Sequence, residues 1–310
     1  MKVEVLEQNL RENPDDVDSW RAYGDWLLEK SDARGTLIQL EQRCAHVGPA
    51  DREALNQEIT ALVREHQESW DAELPPEVTL LARRHGFAAK VSLEWSDDAP
   101  VLIEQTLRAP FVTALRIEPS DKGEDEDDWG EDENDEPSSS IDAGALATLN
   151  LGRLAELDLS YLRIGGLGAE ALAVSAYFRV EAAAAENPAA GAAMGRIEVL
   201  DLRYCHIGDA GLAAIAASPS FGGVRRLRLQ KNLITAEGVQ SLHRFTGLTE
   251  LDLRYNEIGA EGIQTLLAAP FIGSLSRLYL YRTDVGDDGA KMLASAPQLP
   301  PALRSYWRSV

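Results

Sequence analysis

One short pattern returns along most of this chain and limits what it can fold into. The strings LAELDLS, IEVLDLRYCHIG, VRRLRLQKNLIT, LTELDLRYNEIG and LSRLYLYRTDVG align without gaps. The first apolar residue of each central L-x-L pair is Leu157, Leu200, Leu227, Leu251 and Leu278. Weaker matches at Val91 (KVSLEW) and Leu115 (ALRIEP) carry the series towards the N-terminus, with successive steps of 24, 42, 43, 27, 24 and 27 residues. The shorter steps are one repeat each, and the two long ones each hold a repeat with an insertion of roughly 15 to 18 residues. A period of this length means a stack of like units, about seven here, because a single unit cannot bury its apolar face alone.

Within a unit, the alternation predicts a short strand whose leucines point into the stack. Asn232 and Asn256 stand three residues after the second leucine, where a side-chain amide can hydrogen-bond the turning backbone from inside. Cys205 holds the same slot in its repeat and reads as a small buried residue, not a reactive thiol. An amphipathic stretch follows each turn, as in residues 259–270, where Ile263, Leu266 and Leu267 recur at helical spacing. Stretches 99–107, 142–149, 208–217, 235–245 and 286–296 read the same way. The expected fold is therefore α/β: a right-handed solenoid, horseshoe-shaped, with parallel strands on the concave face and helices on the convex one. Residues 303–310 fall about one period after Leu278 and are expected to supply a closing strand.

The N-terminal part differs. Residues 3–12, 16–30 and 35–44 predict three short helices, with Asn13-Pro14-Asp15-Asp16 turning between the first two. Trp20, Tyr23, Trp26 and Leu27 share one face of the second helix and read as core. Residues 51–70 predict a longer helix, with Leu55, Ile59, Leu62, Val63 and His66 on one side, expected to cap the first repeat. The boundaries are an all-α module at 1–45, capping and linking helices at 46–86, and the repeats at 87–310.

Charge and cysteine usage exclude several classes of function. The net charge is -21, and 11 acidic residues against one lysine between Asp121 and Glu136 supply about half of it. This acidic insertion, at about 119–140, is too poor in apolar residues to order itself, whereas the one at about 180–195 is alanine-rich. The balance disfavours nucleic acid and anionic membranes as partners. Two distant cysteines form no disulfide framework, and no basic head with an apolar run or membrane-spanning stretch is found, so a cytoplasmic protein is expected. The five histidines lack metal-ligand spacing, and phosphate-cradling loops and nucleophile motifs are absent, so no cofactor, no metal and no enzymatic activity are expected.

The strings LDLRYNEIGAEGIQTLLAAP (251–270) and LDLRYCHIGDAGLAAIA (200–216) resemble leucine-rich repeats of the ribonuclease-inhibitor-like class. Residues 6–41 resemble the bacterial repeat-companion domain, of myxobacterial and planctomycete type, through Tyr23, Asp25, Trp26, Leu27, Arg34, Gly35 and Gln39. Gly24 stands where that family carries alanine. This second resemblance implies company with repeats and no activity, and its residues read as structural.

What remains is surface. The residues flanking each inward leucine form a ladder across the strands, and arginine and tyrosine gather towards its C-terminal part. These are the residue types that dominate binding hot spots, so the expected partner site is Tyr204, Arg228, Arg254, Tyr255, Tyr279 and Tyr281. The competing reading is a solvated face satisfied by cross-strand pairs such as Arg228 with Asp201 or Asp252. Trp129, an aromatic ring inside the acidic tract, is a candidate docking element for a basic groove. The function expected is a monomeric adaptor or sequestering inhibitor that grips a protein partner. The alternative is a regulator of a small GTPase, since the repeats of Ran GTPase-activating proteins are of the same type and also come with an acidic segment.

Overall fold

The aligned leucines stack in register. In the computed structural model, which describes residues 3–120, 144–145, 148, 151–174 and 196–309, five short parallel strands follow in chain order: β4 (Glu156–Asp158), β5 (Val199–Asp201), β6 (Arg226–Arg228), β7 (Glu250–Asp252) and β8 (Arg277–Tyr279). Leu157, Leu200, Leu227, Leu251 and Leu278 sit opposite one another across them. All five are buried, each contributing about 2 kcal/mol of hydrophobic stabilisation. They lie in the second of two compact units, residues 94–100 with 116–310, the first being 1–93 with 101–115.

Each strand leads through a tight turn to a helix: α6 (Gly165–Val174), α7 (Gly208–Ala217), α8 (Ala236–Val239), α9 (Gly259–Leu267) and α10 (Arg282–Ser295). A single 3-10 turn, Gln240–Arg244, extends α8. Gly165, Gly208, Gly259 and Gly286 recur at the same point with φ of 66°, 62°, 58° and 70°, a left-handed backbone that costs other residues about 1–2 kcal/mol. In α10 this glycine breaks the helix, so one turn precedes the run 287–295.

The slot three residues after the second leucine ties consecutive turns together. The Asn256 Nδ2 donates to the carbonyls of Leu229 at 2.8 Å and Leu253 at 2.9 Å, while its Oδ1 accepts from the amides of Asn232 and Ile234, both at 3.0 Å. Asn232 does the same one repeat earlier, donating to Leu202 at 2.7 Å and accepting from Ile207. Cys205 fills the next slot, its thiol 3.1 Å from the Leu159 carbonyl. Burial pushes that thiol well above its ordinary pKa, so it stays protonated and inert.

The first unit begins with α1 (Val3–Glu12), α2 (Val17–Glu29), α3 (Ala33–His46) and α4 (Pro49–Asp71). Asp16 caps α2 by accepting from the amides of Asp18 and Ser19, and Asp32 caps α3 through Arg34. Trp20, Tyr23 and Leu27 are core, packed with Leu6, Leu10, Ile38, Phe87 and Phe111, and Trp26 lies half-buried against them. Arg34 lies in this core as well: it pairs with Asp32 at 2.8 Å and Glu73 at 2.7 Å, and its guanidinium sits 4.2 Å above the Phe87 ring. Gly35 is required because a Cβ there would meet the Gly24 carbonyl at 2.7 Å and the Leu28 amide at 2.9 Å, which would force α2 and α3 apart.

Two sequence expectations fail on local chemistry. Within the stretch read as linking helices, Thr79–Arg84 is a strand, β1, antiparallel to β2 (Phe87–Glu94), which carries Val91. His85 and Gly86, both with positive φ, make the two-residue turn that closes this hairpin. The open side of the first repeat strand is therefore covered by β1, while α4 packs along α3. Helix α5 (Ala99–Thr106) and strand β3 (Ala114–Glu118) follow in the expected order. The expected closing strand at 303–310 is instead a helix, α11 (Pro301–Ser309), packed on α10. Its apolar residues, Leu303 and buried Trp307, are four apart, a helical and not a strand spacing, and Pro301 fits the first helical position. Most of residues 119–140 and 180–195, with Trp129 among them, lie outside the described residues.

Candidate protein-binding face

The strand residues between the leucines project away from the helices, and neighbouring strands bring them side by side. The middle column reads Asp158, Asp201, Arg228, Asp252 and Tyr279. The competing sequence reading takes this ladder as a solvated face, and Asp201, Asp252 and Glu250 are only 1%, 3% and 6% exposed. Arginines cover them. Asp201 accepts from Arg203 at 2.8 Å and from Arg228 at 3.1 Å, and Glu250 pairs with Arg277 at 3.0 Å. Asp252 pairs with Arg254 at 2.7 Å and also accepts from Gln230. The Asp201 hydrogen bond raises the pKa of Arg203, and the Asp252 hydrogen bond raises that of Arg254. Charge on this part of the face is thus matched internally, and removing one member strands its partner at low exposure.

Above the matched charges stands an aromatic group. The Arg254 guanidinium, held from below by Asp252, lies 5.1 Å from the Tyr279 ring centroid and 5.7 Å from that of Tyr281. Tyr255 meets Tyr281 edge-on at 5.0 Å. The nearness of the two hydroxyls raises the pKa of Tyr255 and lowers that of Tyr281, and Arg254 adds to the lowering. Asp284 fixes the backbones of this pair, accepting from the Tyr281 amide at 2.8 Å and the Tyr255 amide at 3.2 Å. Tyr255, Tyr279 and Tyr281 remain 54%, 36% and 39% exposed.

Of the six residues named from sequence, the structure gathers Arg254, Tyr255, Tyr279 and Tyr281. Tyr204 belongs to a second group, stacked on Tyr161 at 4.6 Å with the Lys231 ammonium 5.9 Å from its ring. Arg228 is engaged in the cross-strand pair with Asp201 that the competing reading predicts. The sequence reading missed Asp284, whose only signal is its place next to the threonine that replaces asparagine in the last repeat.

A shallow depression of about 450 Å³, lined by Glu257, Asp284, Asp287 and Asp288 among others, opens to solvent beside α9 and α10. Among the described residues, no group of three or more His, Cys, Asp and Glu is placed to hold a metal ion, and no helix is long and apolar enough to cross a membrane. No curated protein matches the chain. Two stretches, residues 197–216 with β5 and most of α7 and residues 246–267 with β7 and α9, match the model of the leucine rich repeat family.

Proposed function

We propose that this protein is a non-catalytic binding module that grips a protein partner on its strand face, acting as an adaptor or a sequestering inhibitor. Leucine-rich repeats generally mediate protein–protein interaction. The observation that carries the reading is the exposed tyrosine group around Arg254. Its rings are held in place by Asp252 and Asp284, and a rigid aromatic and arginine cluster loses little entropy when a partner covers it. The matched carboxylates beneath it leave the arginines ordered, so the face is preorganised. A right-handed horseshoe with this face on the concave side, a monomeric state, a cytoplasmic setting and a repeat-companion module at the N-terminus belong to the same reading.

The test is affinity capture from a lysate of the native cell, comparing the intact chain with the triple variant Arg254→Ala, Tyr279→Ala, Tyr281→Ala. A protein recovered by the intact chain and reduced about tenfold or more by the variant is the expected result, corresponding to a loss of about 1.4 kcal/mol or more. Equal recovery by both proteins would place the partner elsewhere.

A further inference from the structure

The slot four residues after the first leucine holds Tyr161, Tyr204, Lys231 and Tyr255 in consecutive units, as the strand register requires. All four have a left-handed backbone, with φ of 71°, 58°, 48° and 60°. That backbone favours glycine, so the conformation of the turn does not explain a tyrosine here. Tyr161 and Tyr204 stack face to face, their ring centroids 4.6 Å apart and their planes 12° from parallel. Tyr161 is 38% exposed and Tyr204 half-buried. Lys231, whose ammonium lies 5.9 Å from the Tyr204 ring, separates the pair from Tyr255. The backbone holds the two rings in place, because the Tyr161 amide donates to the Arg203 carbonyl and the Tyr204 amide to the Gln230 carbonyl, both at 2.8 Å.

Two phenols held this way are set up to join on oxidation. Loss of one electron and one proton from each hydroxyl gives two phenoxyl radicals, whose unpaired density spreads to the Cε carbons beside the oxygen. In near-parallel rings the p lobes of those carbons point at the facing ring, so a Cε–Cε bond closes between them. The hydrogen on each bonded carbon then leaves as a proton and each oxygen regains one, which restores both phenols as dityrosine. The pair loses two hydrogens in all, and one hydrogen peroxide takes them up to become two waters. The Tyr255–Tyr281 pair differs, since its planes cross at 67° and turn those lobes away from each other. Cys205, next to Tyr204 in the chain, is fully buried with its thiol 3.1 Å from the Leu159 carbonyl, which keeps it from quenching the radicals.

We propose that Tyr161 and Tyr204 form an oxidative cross-linking site, closed to dityrosine by a peroxide acting through a one-electron oxidant of the haem-peroxidase type. The bond joins two units 43 residues apart in sequence, across the alanine-rich insertion, and so removes conformational freedom from the unfolded chain. The site stands independently of the partner reading of the strand face.

The test treats the full chain with hydrogen peroxide and a haem peroxidase. It follows dityrosine fluorescence in the monomer fraction, the intact mass, and the linked peptides after proteolysis. A monomer lighter by two hydrogens, with Tyr161 joined to Tyr204, is the expected product. Tyr161→Phe and Tyr204→Phe keep the ring stack and lack the hydroxyl. Each should lower the yield about tenfold or more, the advantage of a held pair over chance encounter. Tyr306→Phe, at an exposed position on α11, should leave the yield unchanged. Circular dichroism confirms that each variant is folded. No dityrosine in the monomer, an undiminished yield in Tyr161→Phe, or a link mapped to Tyr255 and Tyr281 instead would each overturn the proposal.

Discussion

Replacing Asn256 by alanine lowers the stability of the repeat unit by about 3–5 kcal/mol, measured as a shift in the urea midpoint. The residue is 4% exposed, and its amide serves two carbonyls and two amides belonging to successive turns. Alanine leaves those four backbone groups buried without partners, at about 1–3 kcal/mol for each that water does not reach. Thr283, at the same slot in the last repeat, is exposed, and among the described residues no later turn bonds to its side chain. Thr283→Ala is therefore expected to cost less than about 0.5 kcal/mol. Similar losses in both variants would show that the slot acts through the helix start and not through the ladder between repeats.

Arg34→Ala removes about 3 kcal/mol from the first unit, because it deletes a mostly buried cation that two carboxylates and two aromatic rings surround. Glu73 is half exposed and water compensates part of its loss, which keeps the figure at the lower end of the range for broken buried pairs. Arg34→Lys keeps the charge and loses the two-pronged geometry, so it should fall between the two. A pH signature accompanies the loss. Burial raises the Asp32 pKa, but the Arg34 hydrogen bonds outweigh it and hold the carboxylate below its usual 3.8. Stability from this group is complete above the unfolded value and disappears as pH falls through the lowered one. In Arg34→Ala that acid-side decline should shrink. A decline of the same size would mean that Arg34 does not set the Asp32 charge.

The repeat register was legible because a period-two pattern admits one inward set, and the leucines at 157, 200, 227, 251 and 278 lie opposite one another as that pattern requires. The asparagine ladder was legible for a similar reason, since few places inside a turn can satisfy a buried amide. The β1–β2 hairpin was not, because TLLARR shows no alternation and the His85-Gly86 turn rests on an unusual backbone at His85. The last helix was missed where distance from Leu278 was weighed above the four-residue spacing of Leu303 and Trp307.

On the candidate face, residue types were readable and their grouping was not. Register places Arg254 beside Tyr281, but whether an arginine reaches out or folds onto a neighbouring aspartate depends on side-chain paths that spacing does not encode.

The most direct test of a partner on the strand face is photo-cross-linking in a native cell lysate, with a photoreactive amino acid placed at Tyr279 in one sample and at exposed Gln264 on helix α9 in the other. A protein adduct formed from position 279 and not from 264 is the predicted result. An adduct from 264 alone, or none from 279, would contradict the account.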